Sequence, residues 1–593
     1  MSNNNSKDDN INPIIVSVIM NRLNTIAKEM AEVTLKTSRS AVFNQAHDFS
    51  CGIADSNGRM MALEAGLPIH LGAMPFAVKA VLEYFQDDLF PGDVILMNSP
   101  YHGNNHPADV TILTPIFTEK SKKNNENHLV AFAITRGHQA DIGGNQAGTY
   151  NPIAEEVMQE AIVIPPSKLY HNGGKLNRSL WDLFMANVRV PHYQSGDILA
   201  QIGANKMAKK RILTTINEYG IKRFQEAIDE AIHTTERRVR SEIRTWPEGI
   251  YEAETFCEGG YTDPGPHNIK VKLTIKESDL IFDFTGSKRQ VRSIINSAIS
   301  NTHSAVYISV LTTIDPDIPH NEGCFNPIEV VAPKGSIVNV EWPFPTGMST
   351  VCVAQEIIHA CWKALAQAVP TKANAEWGKW NTMVTNGTDR YDRRYTIIHY
   401  VNLAGGGATW GADGWPHIAS SIALGAAIPM SIELLESQFP ELIHRTNFVT
   451  DSGGAGRWRG GVGMVYEIEA YGGKIEYVKG GCGQLNPVDG VLDGKSGTVC
   501  RHWKGKKGKI KYGRSLEIGL AGKGRLLGIE MMGGGGVGDP LKRDPELVYK
   551  DVLNEYVSIK SAREDYGVVI NEKTMDLDKN ATTKLRSSKE KTQ

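Results

Sequence analysis

Two histidines and an aspartate are the residues of this chain best suited to metal chemistry. His106 and Asp109 lie three positions apart just before a β-rich run, and His138 ends the next β-rich run. If the two runs pair as an antiparallel hairpin with Phe117 opposite His128, the three side chains crowd one end of the hairpin. We therefore predict that they lie within reach of one ion.

The assumed pairing sets Asp109 opposite Arg136 and Pro107 opposite His138, and a shift of about two residues would keep the three side chains close. Two imidazoles and a carboxylate suit Zn²⁺, Mn²⁺ or Fe²⁺, with an open coordination position for water. The alternative is a set of polar loop residues that close turns, because 17 histidines make chance clusters common. A fourth ligand could come from near residue 50, where three candidates lie: Asp48, Asp55 and His47.

Glycine-rich segments offer a second kind of chemistry. In segment 451–461, Arg457 and Arg459 stand among glycines whose N–H groups could form an anion-binding nest, and the arginines could grip a phosphate or carboxylate. A glycine-rich turn whose arginines cap carbonyls or pair with acids fits these residues equally well.

Two further glycine-rich segments resemble nucleotide-binding loops but lack essential features. Segment 533–538 has the spacing of a dinucleotide-binding loop, but no helix follows it, and segment 490–496 is one residue short of a Walker A loop. We expect no NTP site on this chain.

The elements that position these residues alternate between helical and β-rich stretches. Apolar residues at steps of four and three predict a long helix from Ile15 to Val33, and helical periodicity returns at 195–243. Short β-rich runs broken by glycine and proline lie between them. We predict an α+β, multi-domain fold of mixed β-rich units with long flanking helices. Its predicted parts are a disordered N-terminal tail (1–13), a metal-site domain (14–245), a mainly β domain (246–345), a glycine-rich α+β domain (346–570) and a flexible C-terminal tail (571–593).

Composition narrows the class of protein. The 593 residues include 64 Lys and Arg against 66 Asp and Glu, a formal net charge of −2, so we expect no nucleic-acid partner. Apolar stretches fall short of the roughly 18 residues that cross a bilayer, and the N-terminus lacks a secretory signal. We expect no membrane contact and a cytoplasmic location. The seven cysteines have no CxxC spacing and are expected to be thiols.

A series of blocks between about residue 14 and residue 570 is typical of one family. With them the chain resembles the hydantoinase B/oxoprolinase family, the B-type subunits of ATP-dependent hydantoinases, lactamases and oxoprolinases, which are related to subunits of ATP-dependent ketone carboxylases. The blocks are Asp48–Ser50, Pro68–Gly72, Gly92–Asp109, Gly137–Gly144, Gln159–Pro166, Asn187–Arg189, Asp283–Gly286, Asn321–Gly323, Asp451–Gly461, Gly533–Pro540 and Tyr566–Val568.

The resemblance implies a division of labour between two subunits. An A-type partner in a hetero-oligomer would use ATP and Mg²⁺ to phosphorylate the carbonyl or enol oxygen of a small substrate. The B-type chain would then open the ring of a hydantoin, lactam or 5-oxoproline-like substrate with water. The resemblance further implies that a divalent ion, Zn²⁺, Mn²⁺ or Fe²⁺, is held by Asp48, His106, Asp109 and His138.

Further roles are expected around that ion. Asp141, three residues after His138, could orient a ligand imidazole or act as a base, and these two residues are the predicted catalytic pair. Arg457 and Arg459 could hold the transferred phosphate. Two alternatives stay open: a subunit of an ATP-dependent ketone carboxylase, whose metal region would handle bicarbonate or an enol phosphate, and a scaffold whose partner carries all the activity.

Overall fold

The computed structural model describes residues 11–64, 66–118, 127–171 and 173–590, so the predicted N-terminal tail lies outside the described residues up to residue 10. Within these ranges the fold is α+β, as the sequence predicts, with twelve α-helices and four β-sheets. The helices are α1 (Pro13–Thr37), α2 (Ala41–Asn44), α3 (Met74–Phe85), α4 (Arg178–Ala186), α5 (Pro191–Tyr219), α6 (Ile221–Ile243), α7 (Ile299–Leu311), α8 (Ala354–Ala368), α9 (Ile432–Gln438), α10 (Pro545–Leu553), α11 (Ile559–Glu564) and α12 (Lys579–Glu590).

The strands follow the same order along the chain. They are β1 (Phe49–Asp55), β2 (Met60–Glu64), β3 (Val94–Met97), β4 (Asp109–Phe117), β5 (Leu129–His138), β6 (Ser167–His171), β7 (Lys175–Leu176), β8 (Gly249–Cys257), β9 (His267–Lys276), β10 (Asp279–Asp283), β11 (Ile328–Val331), β12 (Asn381–Thr388), β13 (Arg394–Ile398), β14 (Glu441–Phe448), β15 (Met464–Ala470), β16 (Ile475–Gly481), β17 (Arg501–Lys506), β18 (Lys509–Gly513), β19 (Glu517–Ala521) and β20 (Leu526–Glu530).

The first sheet has seven strands in the order β2-β1-β5-β4-β3-β6-β7. Alternate residues of β5 pack on opposite sides: Phe132 and Ile134 belong to the cluster around α3, whereas Ala131 and Ala133 belong to the core that contains α1. Helix α5 also packs on β4 and β5. Because helices cover both faces, the central strands are buried along nearly their whole length, so polar groups at their ends lie away from water.

Strands β4 and β5 form the predicted antiparallel pair, but its register differs by two residues from the prediction. Thr118 rather than Phe117 meets His128, through an N–H···O bond of 2.9 Å, and a β-bulge at Phe117 moves the register by one more residue. As a result Asp109 lies directly opposite His138. The bulge therefore brings the aspartate and the histidine closer together than the sequence-based pairing did.

The remaining sheets lie later in the chain. The second sheet has the order β11-β10-β9-β8, and α8 packs on it. The third and fourth sheets, β13-β12-β16-β19 and β14-β15-β20-β17-β18, come from residues 381–530. One hydrophobic core contains residues from all three predicted domains, and the bounds of those domains stay a prediction.

The glycine-rich segments stack backbone against backbone. Gly454 N–H donates to Gly534, Gly534 N–H donates to Gly461, and Gly461 N–H donates to Gly406, at 2.8, 2.9 and 2.8 Å. A Cβ atom added to Gly534 would lie 2.1 Å from the carbonyl oxygen of Gly406. Close approach of neighbouring backbones thus explains these glycines, and their N–H groups are already used by carbonyls.

Two sequence-based predictions are corrected here. Residues 579–590 form α12 instead of a flexible tail, because Arg586 donates to the carbonyls of Tyr566 and Arg543 at 3.0 and 2.8 Å. Cys352 and Cys482 form a disulfide with Cα atoms 6.1 Å apart, so not all cysteines are thiols. The two cysteines are 130 positions apart, and only the tertiary packing brings them together.

None of the described helices has the length and apolarity needed to cross a membrane.

The glycine stack generates a stability prediction. Gly534→Ala should lower the free energy of unfolding by about 2–3 kcal/mol, because its methyl group would collide with backbone that cannot move aside. Chemical denaturation of the full chain measures the change. Gly522→Ala is the control, since nothing lies within 4 Å of the added methyl group. Equal stability of the two variants would contradict the stacking argument.

Candidate metal centre

Three buried side chains converge at the end of the β4–β5 pair. His106 Nε2 lies 2.9 Å and His138 Nδ1 lies 3.5 Å from the same oxygen, Asp109 Oδ1. One ligand atom from each residue lies within 4.8 Å of the other two. The predicted cluster therefore exists, and its side chains are 0–3% exposed. The register produces it, because Asp109 and His138 are direct partners and His106 lies in the turn before β4.

Asp48 lies on the other side of Asp109. His138 N–H donates to the Asp48 carbonyl at 3.0 Å, so the end of β1 meets the end of β5. His70 Nε2 lies 3.5 Å from Asp109 Oδ2 and 3.9 Å from Asp48 Oδ1. Tyr400 donates a short hydrogen bond to Asp48 Oδ2. Only one Asp48 oxygen thus remains open, and its role as a fourth ligand stays a prediction.

The cluster fits a divalent cation. Among the described residues, Asp48 Oδ1, Asp109 Oδ2 and His138 Nε2 are buried without a hydrogen-bond partner, which is costly for polar atoms. His106 Nδ1 lies 3.0 Å from the Gly347 carbonyl. Because a carbonyl only accepts, Nδ1 carries the proton and Nε2 is left to face Asp109. Histidine ligands of metals commonly have this arrangement.

Charge at the centre is concentrated on Asp109. Burial alone would raise the pKa of Asp109, but the imidazoles of His106 and His70 hold it well below its usual range. Burial lowers the pKa of His70. For His106, burial lowers the pKa, but the charge and hydrogen bond of Asp109, the Gly347 carbonyl and Asp48 together outweigh burial and raise it. In the metal-free chain a proton can therefore balance Asp109, and a metal ion would replace that proton.

The cavity at the centre is small. Its volume is about 10 Å³, roughly the room that one water molecule needs. Apolar side chains wall it, among them Leu67, Val351, Trp380 and Ile422, and Tyr150 lies 5.8 Å from His138 ring to ring. The cavity has room for an ion, whereas a cyclic substrate requires some of these walls to move.

Arg136 fixes the loop that carries His106. Its guanidinium donates to Thr111 Oγ1 at 2.8 Å, to Asn105 Oδ1 at 2.6 Å and to the Gly103 carbonyl at 3.0 Å. The side chain is fully buried, and burial lowers its pKa to about 10. Arg136 therefore determines the position of the loop without contacting the cavity.

Asp141 does not have the predicted role. Its carboxylate accepts from the backbone and guanidinium N–H groups of Arg189 at 2.8 and 2.9 Å, and from the N–H groups of Gly143 and Gly148. These bonds anchor the loop after β5 to the segment before α5. Asp141 is thereby corrected from a ligand-orienting residue or base to a residue that shapes a loop. His138 stays a candidate ligand.

Only one of the two arginines of the glycine-rich segment is committed to internal partners. Arg459 is 4% exposed, bonds the Gly460 carbonyl, lies 3.3 Å from Asp551 and covers the ring of Tyr556. Its guanidinium is thus committed to internal partners. Arg457 is exposed and lies over the ring of Trp458. The N–H groups of Gly454, Gly460 and Gly461 bond carbonyls, which supports the glycine-rich-turn alternative for this part of the segment. Phosphate binding by Arg457 stays a prediction.

Sequence reasoning missed four residues around the cavity. His70 lies in Pro68–Gly72, a block that was used only for the family resemblance. That block was the only sequence signal that could have indicated a role for His70. Tyr150, Tyr400 and Gly347 stand in segments without any chemical pattern, and only long-range packing brings them to the centre.

The sheets and the buried His/Asp cluster define a multi-domain α+β protein with a candidate metal centre. The chain belongs to the hydantoinase B/oxoprolinase family, whose model matches residues 12–540. It is 33% identical to the caprolactamase subunit beta of Pseudomonas jessenii over 575 residues, 95% of this chain and 97% of that protein.

Two solved structures are similar to this fold. The crystal structure of ATP-dependent caprolactamase from Pseudomonas jessenii has a TM-score of 0.89 at 31% identity, covering 98% of this chain and 100% of that one. A nucleotide-free acetone carboxylase also has a TM-score of 0.89, at 21% identity, covering 98% of this chain and 83% of that one. The second likeness establishes a shared fold only.

Metal content tests the centre directly. Asp109→Asn should weaken binding of added Zn²⁺ or Mn²⁺ at least about 100-fold, because it removes the carboxylate charge that the imidazoles of His106 and His138 face. Elemental analysis after dialysis gives the bound amount. His102→Ala is the control, since His102 lies in the same block but contacts Ser99. Retention of metal by the Asp109 variant would rule out the centre.

Proposed function

We propose that this chain is the B-type subunit of an ATP-dependent cyclic-amide hydrolase. It would open a hydantoin, lactam or 5-oxoproline-like ring that an A-type partner subunit has phosphorylated. The observation that carries the proposal is the buried His/Asp cluster with unpartnered ligand atoms, in a chain that aligns along nearly its whole length with a caprolactamase subunit.

His106, Asp109 and His138 would hold the divalent ion, with Asp48 as the fourth ligand. Zn²⁺, Mn²⁺ and Fe²⁺ all suit this mixture of imidazole and carboxylate donors. When bound, such an ion supplies Lewis acidity, which brings the pKa of a coordinated water toward neutrality. An amide carbonyl resists water, so this property matches the difficult step of the reaction.

The chain's own side chains prepare the centre for water and substrate. Tyr400 fixes Asp48 through a short hydrogen bond, and Gly347 fixes the His106 ring. Apolar walls such as Trp380 and Ile422 exclude bulk water, which strengthens electrostatic interactions with the substrate. His70 faces two carboxylates at 3.5 and 3.9 Å, where it can hold a proton between them. These residues orient groups and exclude solvent.

Phosphorylation by the partner would make the remaining chemistry accessible. A phosphate ester on the former carbonyl oxygen makes the ring carbon electrophilic, so water attacks that carbon and the ring C–N bond breaks as the nitrogen takes up a proton. The product is an acyl phosphate, and a second water molecule hydrolyses it to a carboxylate and free phosphate. ATP and Mg²⁺ belong to the A-type subunit in this scheme. The glycine-rich segments of the present chain support that division, since the N–H groups of Gly454, Gly461 and Gly534 are bonded to carbonyls. Use of ATP fits the cytoplasmic location that the sequence predicts.

The second candidate is a subunit of an ATP-dependent ketone carboxylase. It is kept as a candidate because an acetone carboxylase shares the fold, with a TM-score of 0.89. We place it second because the caprolactamase match combines the same TM-score with 31% identity.

The experiment is an assay of the chain copurified with its A-type partner. With ATP and a panel of caprolactam, 5-oxoproline and hydantoin, we expect opening of at least one ring coupled to ADP release, measured by chromatography. With ATP, bicarbonate and a ketone, we expect no carboxylated product. Carboxylation without ring opening would overturn the first candidate in favour of the second.

A variant of this chain tests whether the chain takes part in catalysis or only supports an active partner subunit. His138→Ala in the complex should lower turnover at least about 1000-fold, because the chain would lose a ligand that aligns the centre. The matched control is His102→Ala, which should keep the turnover of the unaltered complex. Unchanged turnover in the His138 variant would mean that the partner carries all the activity.

A further inference from the structure

We propose that Glu160 is a positioning residue for the metal centre: its carboxyl group fixes Gly347, and the Gly347 carbonyl in turn fixes the imidazole of His106. The inference rests on the proposed function, because it concerns the same centre. Glu160 belongs to the segment between β5 and β6, and Gly347 lies 187 positions later in the chain.

Glu160 is bound to the backbone on both of its oxygens. Oε2 accepts from the N–H group of Thr346 at 2.8 Å, and Oε1 accepts from the N–H group of Gly347 at 2.6 Å. The residue is 1% exposed. A buried carboxyl group that accepts two hydrogen bonds from one peptide segment is held in a single orientation. Glu160 therefore determines where that segment lies.

Gly347 transmits this position to His106. Its carbonyl oxygen lies 3.0 Å from His106 Nδ1, and the N–H group of the same residue is bonded to Glu160. The carbonyl requires a proton on Nδ1, which leaves Nε2 as the ligand atom, 2.9 Å from Asp109 Oδ1. Displacement of Gly347 would therefore release the ring from the tautomer and orientation that metal binding needs.

The contact between Glu160 and Gly347 is also sterically specific. A Cβ atom at position 347 would lie 2.6 Å from Glu160 Oε1, so only glycine lets the carboxyl group approach the N–H group. The backbone of Gly347 does not have a positive φ. Close approach of Glu160 therefore accounts for the glycine, and Gly347→Ala provides a second way to break the same contact.

A neighbouring contact supplies the matched control. Tyr101 donates its hydroxyl proton to the Phe344 carbonyl at 2.6 Å, three residues before Gly347. Tyr101 and Glu160 thus both tie the segment 344–347 to the first sheet region, but only Glu160 bonds Gly347. Tyr101→Phe removes one anchor of the segment and leaves the path to His106 in place.

The test is a Co²⁺ titration of the full chain, followed by visible absorption, which reports the coordination geometry of bound Co²⁺. Because the amide nitrogen of glutamine accepts no hydrogen bond, Glu160→Gln deprives one N–H group of its partner. This loss does not depend on the protonation state of Glu160, whose pKa burial raises to about 8. We expect Co²⁺ to bind about 10-fold more weakly to Glu160→Gln, with an altered absorption band.

Gly347→Ala should weaken Co²⁺ binding in the same direction and alter the same band. Tyr101→Phe should keep the affinity and the band of the unaltered chain, even if its melting temperature falls. Thermal unfolding of the metal-free proteins separates a loss of folding from a loss of positioning. A merely structural role of Glu160 would lower the melting temperature and leave the absorption band of the folded protein unchanged.

Three outcomes overturn the inference. Unaltered Co²⁺ affinity and spectrum in both Glu160→Gln and Gly347→Ala would refute it while the metal centre stands. An equal spectral change in Tyr101→Phe would assign the effect to general loosening of the segment. Failure of the unaltered chain to bind Co²⁺ would overturn the inference together with the proposed function, so the two kinds of failure are distinguishable.

Discussion

The structure around the site depends on one electrostatic constraint, the burial of the Asp109 carboxylate. Asp109 is 0% exposed, and three imidazoles lie within 3.5 Å of its two oxygens. A carboxylate in this environment must be balanced by positive charge, because an unpaired charge in the interior costs several kcal/mol. A proton on an imidazole or a bound cation can provide that charge. The neighbouring polar atoms without hydrogen-bond partners suit a cation, so the burial that costs stability also creates the candidate site.

Satisfying this constraint requires distant parts of the chain. The residue just before β1 is Asp48, the β4–β5 pair supplies the central acid and a histidine, and a loop ordered by Arg136 supplies His106. Tyr400 and Gly347 reach the centre from the last third of the described chain and from the segment before α8. A core that is continuous across all three predicted domains holds these parts in place. The centre is therefore a property of the whole packed molecule, which agrees with the nearly full-length match to a caprolactamase subunit.

Sequence patterns predicted what short-range periodicity and turn chemistry control. The α+β class, the long first helix and the hairpin that joins Asp109 to His138 follow from such patterns, although a bulge at Phe117 altered the register. Functions were predicted for Asp141 from its spacing to His138 and for Arg459 from its glycine-rich surroundings, and both side chains bond nearby backbone and side-chain partners. Tyr400 lies 352 positions from Asp48, so no local pattern could indicate their contact. Sequence spacing finds side chains that converge on paired strands, and it fails for groups that only tertiary packing brings together.

The geometry also bears on why the chemistry would be divided between two subunits. Binding a nucleotide phosphate to backbone requires free N–H groups, whereas the stacked glycines around Gly461 and Gly534 donate theirs to carbonyls and leave no space for a side chain, still less a phosphate. The metal cavity, in turn, has room for about one water molecule. A pocket of this size suits the attack of water on an electrophile and is poorly suited to holding ATP as well. Activation at a separate site, followed by transfer into a cavity whose walls must open, is the arrangement that these two packing constraints favour.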